Sequence, residues 1–346
     1  MRPLSIRNRS RQEILEYVGH MDQLAGIKLL EAKDGRARGS RVLQVWTGTG
    51  LTFQVLADRA LDISACRYKG SSLAWASSVG DVHPSYYEPE GEGWLRSFQG
   101  GLLITCGLDH FGYSSIDDGE TLGLHGRVSN LPARYVSYRT AWKDDEYELE
   151  ITGEVRQTRV FGENLVLRRR ISTSLGSNRI LIEDVVANEG FAPCPHMILY
   201  HFNLGFPLLS ENAQLRVEVE KTTPRDADAK AGLADCRRFQ PPSEGYGQQL
   251  FHHVPVADAD GKARVCLENP VLGIGLRWTY DLADLPDLFQ WKMMGQGLYV
   301  LGIEPANCDG IMGRAAARES GDLPYLVPGE SHRYALELEV IGPPQL

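Results

Sequence analysis

The sequence lacks several features that would assign it to a functional class at once. Its six cysteines form no CxxC pair, so neither a zinc ribbon nor a dithiol redox motif is indicated, and we predict reduced thiols. No apolar run approaches the roughly 18 residues of a membrane-spanning helix. No basic block stands out, and the formal net charge is −9, which disfavours nucleic acid. We therefore predict that neither a membrane nor nucleic acid is a partner.

Signatures for cofactors and metals are also missing. Gly48-Thr49-Gly50 has no third glycine and no following helix, so a plain turn is expected there, and no GxxxxGK[ST] motif occurs. His252 and His253 are an adjacent pair in a polar stretch, and HExxH and HxH are absent. We predict that the protein uses no cofactor and binds no metal.

The N-terminal segment predicts a short helix and no export signal. Ser10 and Glu13 have the spacing of a capping box. The arginine-rich segment 2–11 precedes acidic residues and no apolar stretch, unlike a signal peptide, so a cytoplasmic location is expected. We interpret residues 1–30 as a helical extension.

Strand patterns dominate the rest of the chain. Hydrophobic residues make up 42% of the sequence, enough for a buried core, and the 36 glycines and 18 prolines recur without clustering. Apolar residues alternate with polar ones, or form strand-length runs, at 42–46, 61–66, 147–151, 180–186, 215–220, 271–278, 298–303 and 334–340. Strands without intervening helices predict an all-β fold, a large antiparallel β-supersandwich, as one domain over residues 31–346. No second helix is predicted.

One long loop interrupts this pattern. The segment 77–101 is too long for a hairpin turn and contains Tyr86, Tyr87 and Trp94. Long ordered loops of this kind usually cover a binding site. We expect these aromatic rings to stack on a ligand.

Three polar residues stand out against apolar or glycine-rich surroundings. Glu304 ends an apolar strand, which suits either a general base or an edge residue in an ion pair. His201 and Asn203 point to the same side of a strand, which suits a cavity wall, although a core histidine is the alternative. The glycines beside His125 allow either a close ligand or a tight turn.

The order of these motifs resembles the aldose 1-epimerase (galactose mutarotase-like) superfamily. The likeness runs from about Val42 to the terminal strand and is strongest to its DUF4432 branch. It is carried by the segments 57–63, 100–108, 124–127, 302–307 and 327–330, which read ADRALDI, GGLLITCGL, LHGR, GIEPAN and VPGE.

The resemblance implies that the protein is an isomerase that interconverts the anomers of a reducing sugar, in carbohydrate metabolism. It implies His201 as the general acid, Glu304 as the general base and His125 as a histidine that holds the sugar ring. Arg59 is expected to bind a ring hydroxyl or an acidic substituent, with a buried ion pair to a neighbouring aspartate as the alternative. Further candidates for the binding site are Asp109, His110, Asn203, Trp291 and Lys292.

Mutarotation needs two groups of opposite protonation state, one to take the anomeric O–H proton and one to protonate the ring oxygen. The alternatives are another sugar isomerase, epimerase or lyase with a metal held by His110, His125 and His201, or a carbohydrate-binding protein without catalysis. The expected partner is a small-molecule sugar, and a homodimer is left open.

Overall fold

The computed structural model describes residues 9–342. Residues 2–8 of the arginine-rich segment lie outside this range. Within it the chain forms 25 β-strands: β1 (Gly26–Glu31), β2 (Arg41–Trp46), β3 (Leu51–Leu56), β4 (Asp62–Tyr68), β5 (Ser71–Ser72), β6 (Trp75–Ala76), β7 (Gly100–Gly101), β8 (Leu103–Leu108), β9 (Ser115–Asp117), β10 (Glu120–Leu122), β11 (Arg134–Lys143), β12 (Glu146–Thr158), β13 (Asn164–Ser174), β14 (Arg179–Asn188), β15 (Cys194–Pro195), β16 (Met197–Leu204), β17 (Gln214–Val217), β18 (Val219–Pro224), β19 (Gln249–Pro255), β20 (Lys262–Asn269), β21 (Ile274–Asp281), β22 (Asp287–Gly295), β23 (Leu298–Ala306), β24 (Tyr325–Leu326) and β25 (Ser331–Ile341).

Three short α-helices accompany these strands: α1 (Arg11–Leu15), α2 (Ala227–Ala231) and α3 (Arg314–Ser320). The predicted helix start is confirmed, because Ser10 and Glu13 form a complete capping box at α1. The prediction of no second helix is wrong for α2 and α3. The seven-residue α3 begins without a side-chain cap, so the sequence carries no start signal for it.

Two antiparallel sheets form the body of the protein. The larger has eleven strands in the order β1-β2-β3-β4-β8-β16-β23-β22-β19-β18, with β5 paired to β4. The smaller has eight strands in the order β11-β12-β13-β14-β25-β21-β20-β17. Buried residues of both sheets share one hydrophobic core, so the sheets pack face to face. The predicted all-β supersandwich is confirmed.

The sheet begins earlier in the chain than expected. Residues 26–30 of strand β1 fall within the predicted extension 1–30, and the strand pairs antiparallel with β2. Its burial does not alternate, since only its first two residues are buried. Period-two analysis therefore has no signal at β1. No helix among residues 9–342 is long and apolar enough to cross a membrane.

The larger sheet is covered on both faces, and strand alternation decides which residue meets which layer. In β16, Ile198, Tyr200 and Phe202 belong to the core between the sheets. Met197 and Leu199 belong to a second apolar cluster on the outer face. Odd-numbered residues of β16 thus point away from the smaller sheet.

Candidate active site

A cavity of about 500 Å³ opens on the outer face of the larger sheet, beneath the loop between β6 and β7. Its wall combines residues of that loop with residues of β16, β19, β22 and β23. The lining residues are Trp75, Ser77, Ser78, Val79, Glu92, Trp94, Leu95, Phe98, Gly112, Tyr113, Ser114, Leu124, His125, His201, Gln248, Leu250, Trp291, Met293, Leu298, Glu304 and Ile311. The predicted long loop therefore forms part of the cavity wall.

Strand pairing brings His201 and Glu304 together although they lie far apart in sequence. Strands β16 and β23 are antiparallel neighbours, with Phe202 opposite Ile303 and Asn203 opposite Gly302. The same register sets His201 beside Glu304 on the outer face. His201 Nε2 lies 3.3 Å from Glu304 Oε1, so the two predicted catalytic side chains are in direct contact.

Burial determines the protonation of this pair. The Glu304 side chain is 1% exposed, and the loss of solvation raises the pKa of Glu304 to about 8. The same cause lowers the pKa of His201 to about 3. At neutral pH a protonated carboxyl group therefore lies beside a neutral imidazole, and His201 is not the imidazolium that a simple acid–base scheme assumes.

Both members of the pair keep unused hydrogen-bonding capacity. Glu304 Oε1 and His201 Nδ1 are buried, and neither has a hydrogen-bond partner in the protein. A buried polar atom without a partner costs about 1–3 kcal/mol. Such atoms are expected where a ligand completes the hydrogen bonds.

Gly302 makes room for the pair, a role that the sequence analysis missed. A Cβ atom there would lie 2.3 Å from Glu304 Oε1 and 3.2 Å from His201 Cε1. The carboxyl group of Glu304 therefore occupies the space above Gly302. Gly302 lies two residues before Glu304 in β23, on the same face of the strand. The Gly-Ile-Glu order in the sequence was the available signal, because i and i+2 residues of a strand share a face.

His125 borders the pair from a loop. Its φ of +58° is unusual for a residue with a side chain. Its Nδ1 accepts a long hydrogen bond from Gly112 N–H at 3.4 Å, which leaves the proton on Nε2. Burial and the neighbouring His201 hold its pKa well below the usual range, so the ring is neutral. The His125 and His201 ring centroids are 5.6 Å apart.

Aromatic rings surround the histidines. Trp94 stacks on Phe98 at 4.5 Å and lies 4.8 Å from His125. Phe98 and Trp291 lie 5.6 and 5.9 Å from His201. The sequence analysis named Trp94 and Trp291 but missed Phe98, which no local pattern distinguishes from a core residue.

The other two predicted loop aromatics do not line the cavity. Tyr86 is half exposed and lies beneath the Arg36 guanidinium. Tyr87 donates its hydroxyl to Gly126 O at 2.9 Å. Trp94 is only 2% exposed, so it serves the core as well as the cavity.

Arg59 lies outside the cavity, and it also forms no ion pair with a neighbouring aspartate. It is 1% exposed, and its guanidinium donates to the backbone oxygens of Val82, Ser97 and Ser129. These bonds tie the loop to the body of the protein. Their geometry gives Arg59 a positioning role in place of the predicted contact with sugar.

Asp109 and His110 belong to a different buried network. Arg314 of α3 donates to Asp109 at 2.9 Å, and its backbone N–H donates to His110 Nδ1 at 3.2 Å. Gln157 also donates to Asp109. These two predicted residues are thus bound to α3, a helix that the sequence analysis did not include.

Lys292 and Asn203 also lie outside the cavity wall. Lys292 is adjacent to Trp291 in β22, so it points to the opposite face, where its ammonium donates to Asp235 O at 2.9 Å. Asn203 shares the face of His201, but it is fully buried and donates to His201 O at 3.1 Å. It therefore supports the strand that carries His201.

The three histidines of the metal-assisted alternative do not form a ligand set. His110 is engaged by Arg314, whereas His125 and His201 line the cavity. Within residues 9–342, no group of three or more His, Cys, Asp or Glu side chains is arranged to hold a metal ion.

The chain is similar in fold to several solved structures. The crystal structure of a putative aldose 1-epimerase from Klebsiella pneumoniae is 27% identical, with a TM-score of 0.87 over 93% of this chain and 86% of that chain. A galactose mutarotase-like protein from Clostridium acetobutylicum is 14% identical, with a TM-score of 0.64 over 92% of this chain and 99% of that chain. Galactose 1-epimerase from Lactobacillus acidophilus is 12% identical, with a TM-score of 0.58 over the same shares.

The last two comparisons establish the galactose mutarotase-like fold. No curated protein matches the sequence significantly. The family described as a domain of unknown function, DUF4432, matches residues 37–340, which is most of the chain. The protein is therefore a member of the DUF4432 family, with the fold of the aldose 1-epimerases.

Proposed function

We propose that the protein interconverts the anomers of a reducing sugar in the cavity above His201 and Glu304. The observation that carries the proposal is the buried contact between these two side chains, each with a polar atom that no protein group satisfies. At neutral pH the pair carries one carboxyl proton and one imidazole N–H, so one group can donate while the other accepts. The fold shared with aldose 1-epimerases supports the same reaction.

The neutral pair can open the sugar ring without creating a buried charge. His201 Nδ1–H donates to the ring oxygen while Nε2 takes the proton of Glu304 Oε1, 3.3 Å away. The second carboxyl oxygen of Glu304 then accepts the anomeric O–H proton. The C1–O5 bond breaks and C1 becomes an aldehyde. Rotation about C1–C2 and reversal of these transfers close the ring as the other anomer.

This scheme keeps the family roles of His201 as acid and Glu304 as base, but it changes their arrangement. An acid and a base across the sugar would be separated by the ring. Here they are adjacent, and this suffices because the anomeric oxygen and the ring oxygen are bonded to the same carbon. His125, with its proton on Nε2, is placed to donate to another hydroxyl of the sugar.

The test is anomer exchange measured by NMR or polarimetry on a panel of reducing sugars. Glu304→Gln keeps the shape of the side chain but cannot accept the proton, so we expect a loss of about 10²–10⁴ in kcat with retained binding. His201→Asn should lose a similar factor. The double variant should be little worse than either single one, because the residues act as a unit.

Glu146→Gln, an exposed site at the start of β12, is the matched control and should keep full activity. Near-wild-type exchange by Glu304→Gln on every sugar that binds would contradict the mechanism. Sugar binding to the wild type without any exchange would favour the carbohydrate-binding alternative.

A further inference from the structure

The charges on the cavity wall restrict the substrate. Among the described lining residues the acidic side chains are Glu92, which is exposed, and Glu304, whose carboxyl group is protonated at neutral pH, and no Lys or Arg is present. His125 and His201 are neutral because of their burial. A phosphate, sulfonate or carboxylate is normally bound by Arg or Lys. An anionic sugar would find no cation here, and it would be brought close to carboxyl groups.

The aromatic part of the wall presents carbon atoms to the cavity. The indole N–H of Trp94 donates to Ser129 Oγ at 3.0 Å, and that of Trp291 donates to Gln248 Oε1 at 3.2 Å. The hydroxyl of Ser77 is engaged by Phe98 O at 2.6 Å. Three polar groups that could have bound sugar hydroxyls are thus already satisfied.

The apolar surface continues along the sheet away from the catalytic pair. Glu304 is paired with Phe289, and the next outer-face residues of β22 are Trp291 and Met293. Successive residues on one face lie about 7 Å apart, so Met293 is about 14 Å along the strand from the row of Glu304. Leu298, at the start of β23, extends the same wall.

The mechanism orients the sugar against this surface. If His201 protonates the ring oxygen, C5 and its substituent lie beside His201. Three rings border His201 on the wall: Phe98 and Trp291, at 5.6 and 5.9 Å between centroids, and His125 at 5.6 Å, whose Nε2–H is placed to donate to another hydroxyl of the sugar. On the side of Phe98 and Trp291 the substituent on C5 meets ring carbon atoms, and a hydroxyl packed against them would lose its hydration without gaining a partner from these two rings.

We infer that the substrate is an uncharged 6-deoxy sugar, whose C5 methyl group packs against Phe98 and Trp291 in a cavity without cationic side chains. The inference rests on the proposed function and adds the substrate class. A methyl group in an apolar pocket is worth about 10–200-fold in kcat/KM. It replaces a hydroxymethyl group, which would pay the cost of desolvation.

The experiment compares four sugars that share one ring configuration and differ only on C5: D-fucose (methyl), D-galactose (hydroxymethyl), L-arabinose (hydrogen) and D-galacturonate (carboxylate). The corresponding gluco and manno series are measured in parallel. In the series that fits the ring, kcat/KM for anomer exchange should be about tenfold or more higher for the methyl sugar than for the hydroxymethyl sugar. The carboxylate should be the poorest substrate.

A variant of the cavity wall tests whether the aromatic rings produce this preference. Trp291→Gln replaces one of the two rings that the methyl group contacts with an amide, so the preference for methyl over hydroxymethyl should fall towards unity. Met312→Gln changes an exposed side chain that does not line the cavity, and it should leave the preference unchanged.

Equal or better exchange of the hydroxymethyl or carboxylate sugar would overturn the substrate assignment and leave the mutarotase proposal intact. If no sugar exchanged faster with wild type than with Glu304→Gln, the proposed function would fall, and this inference with it.

Discussion

The buried ionisable groups on the two faces of the larger sheet differ in how far the protein satisfies their hydrogen bonds. On the inner face, Arg169 of the smaller sheet donates to Asp62 at 2.9 Å and to both oxygens of Asp184 at 2.9 and 2.7 Å. The Tyr200 hydroxyl also donates to Asp184, at 2.8 Å. On the outer face, Glu304 Oε1 and His201 Nδ1 have no partner.

This difference separates stability from activity. The inner cluster joins β4 and β16 of one sheet to β13 and β14 of the other, and each of its charged groups has hydrogen-bond partners in the protein. The outer pair leaves its hydrogen-bonding capacity for a ligand at a cost in stability. Substitutions in the inner cluster should lower the stability of the fold, and substitutions of His201 or Glu304 should lower the rate of the reaction.

Removing the centre of the inner cluster should have the largest effect on stability. Arg169→Leu leaves Asp62 and Asp184 buried without a counter-charge, and we expect a loss of about 3–5 kcal/mol in the free energy of unfolding by chemical denaturation. Arg170→Leu, the next residue in β13, breaks part-exposed pairs with Glu150 and Glu183 and should cost about 1 kcal/mol or less. Equal losses would contradict the comparison.

Glu304→Gln should instead stabilise the protein at alkaline pH. The folded pKa of about 8 lies above the ordinary value of 4.5, so between these values the folded state holds a proton that the unfolded state has lost. The free energy of unfolding therefore falls as pH rises through this window, by on the order of 5 kcal/mol at most. The variant should be more stable than wild type at pH 9, and this gain should disappear near pH 4.

A side chain at position 302 should damage the reaction more than the fold. Gly302→Ala would place Cβ against the carboxyl group of Glu304 and the ring of His201. We expect kcat to fall about tenfold or more, with a smaller change in KM and a displaced pH profile, because a shift of about 1 Å can cost that much. Gly19→Ala, where a Cβ meets open space, is the control and should change neither parameter.

The rate of anomer exchange should depend on pH through the fraction of the pair in which Glu304 is protonated and His201 is neutral. Activity should be flat near neutrality and fall about tenfold per unit above about pH 8, where the pair loses its proton. Glu304→Gln should lose this alkaline limb together with most of its rate. If activity already fell with rising pH below pH 7, this would contradict the neutral pair and favour a histidine of ordinary pKa as the acid.

Sequence analysis succeeded where periodicity carried the information. The alternation in β16 and the apolar run of β23 were enough to predict the strands and to mark His201 and Glu304 as candidates, whereas their expected catalytic roles came from the resemblance to the aldose 1-epimerase superfamily. It failed at Lys292. Adjacent residues of a strand point to opposite faces, so placing Trp291 in the binding site should have ruled out Lys292. It also failed at Asp109 and His110, because their partner Arg314 belongs to a short uncapped helix about 200 residues away.

The amino-acid sequence by itself determined the antiparallel β architecture, because the alternation of apolar residues shows which face of each strand is buried. It also placed the acid–base residues His201 and Glu304 in strands, at positions whose side chains point to one face of the sheet. Only the tertiary structure decided which of them meet, since the register between β16 and β23 is set by packing over the whole sheet. It also decided their protonation, because the pKa values of Glu304 and His201 depend on how completely the loop and the sheet exclude water from them.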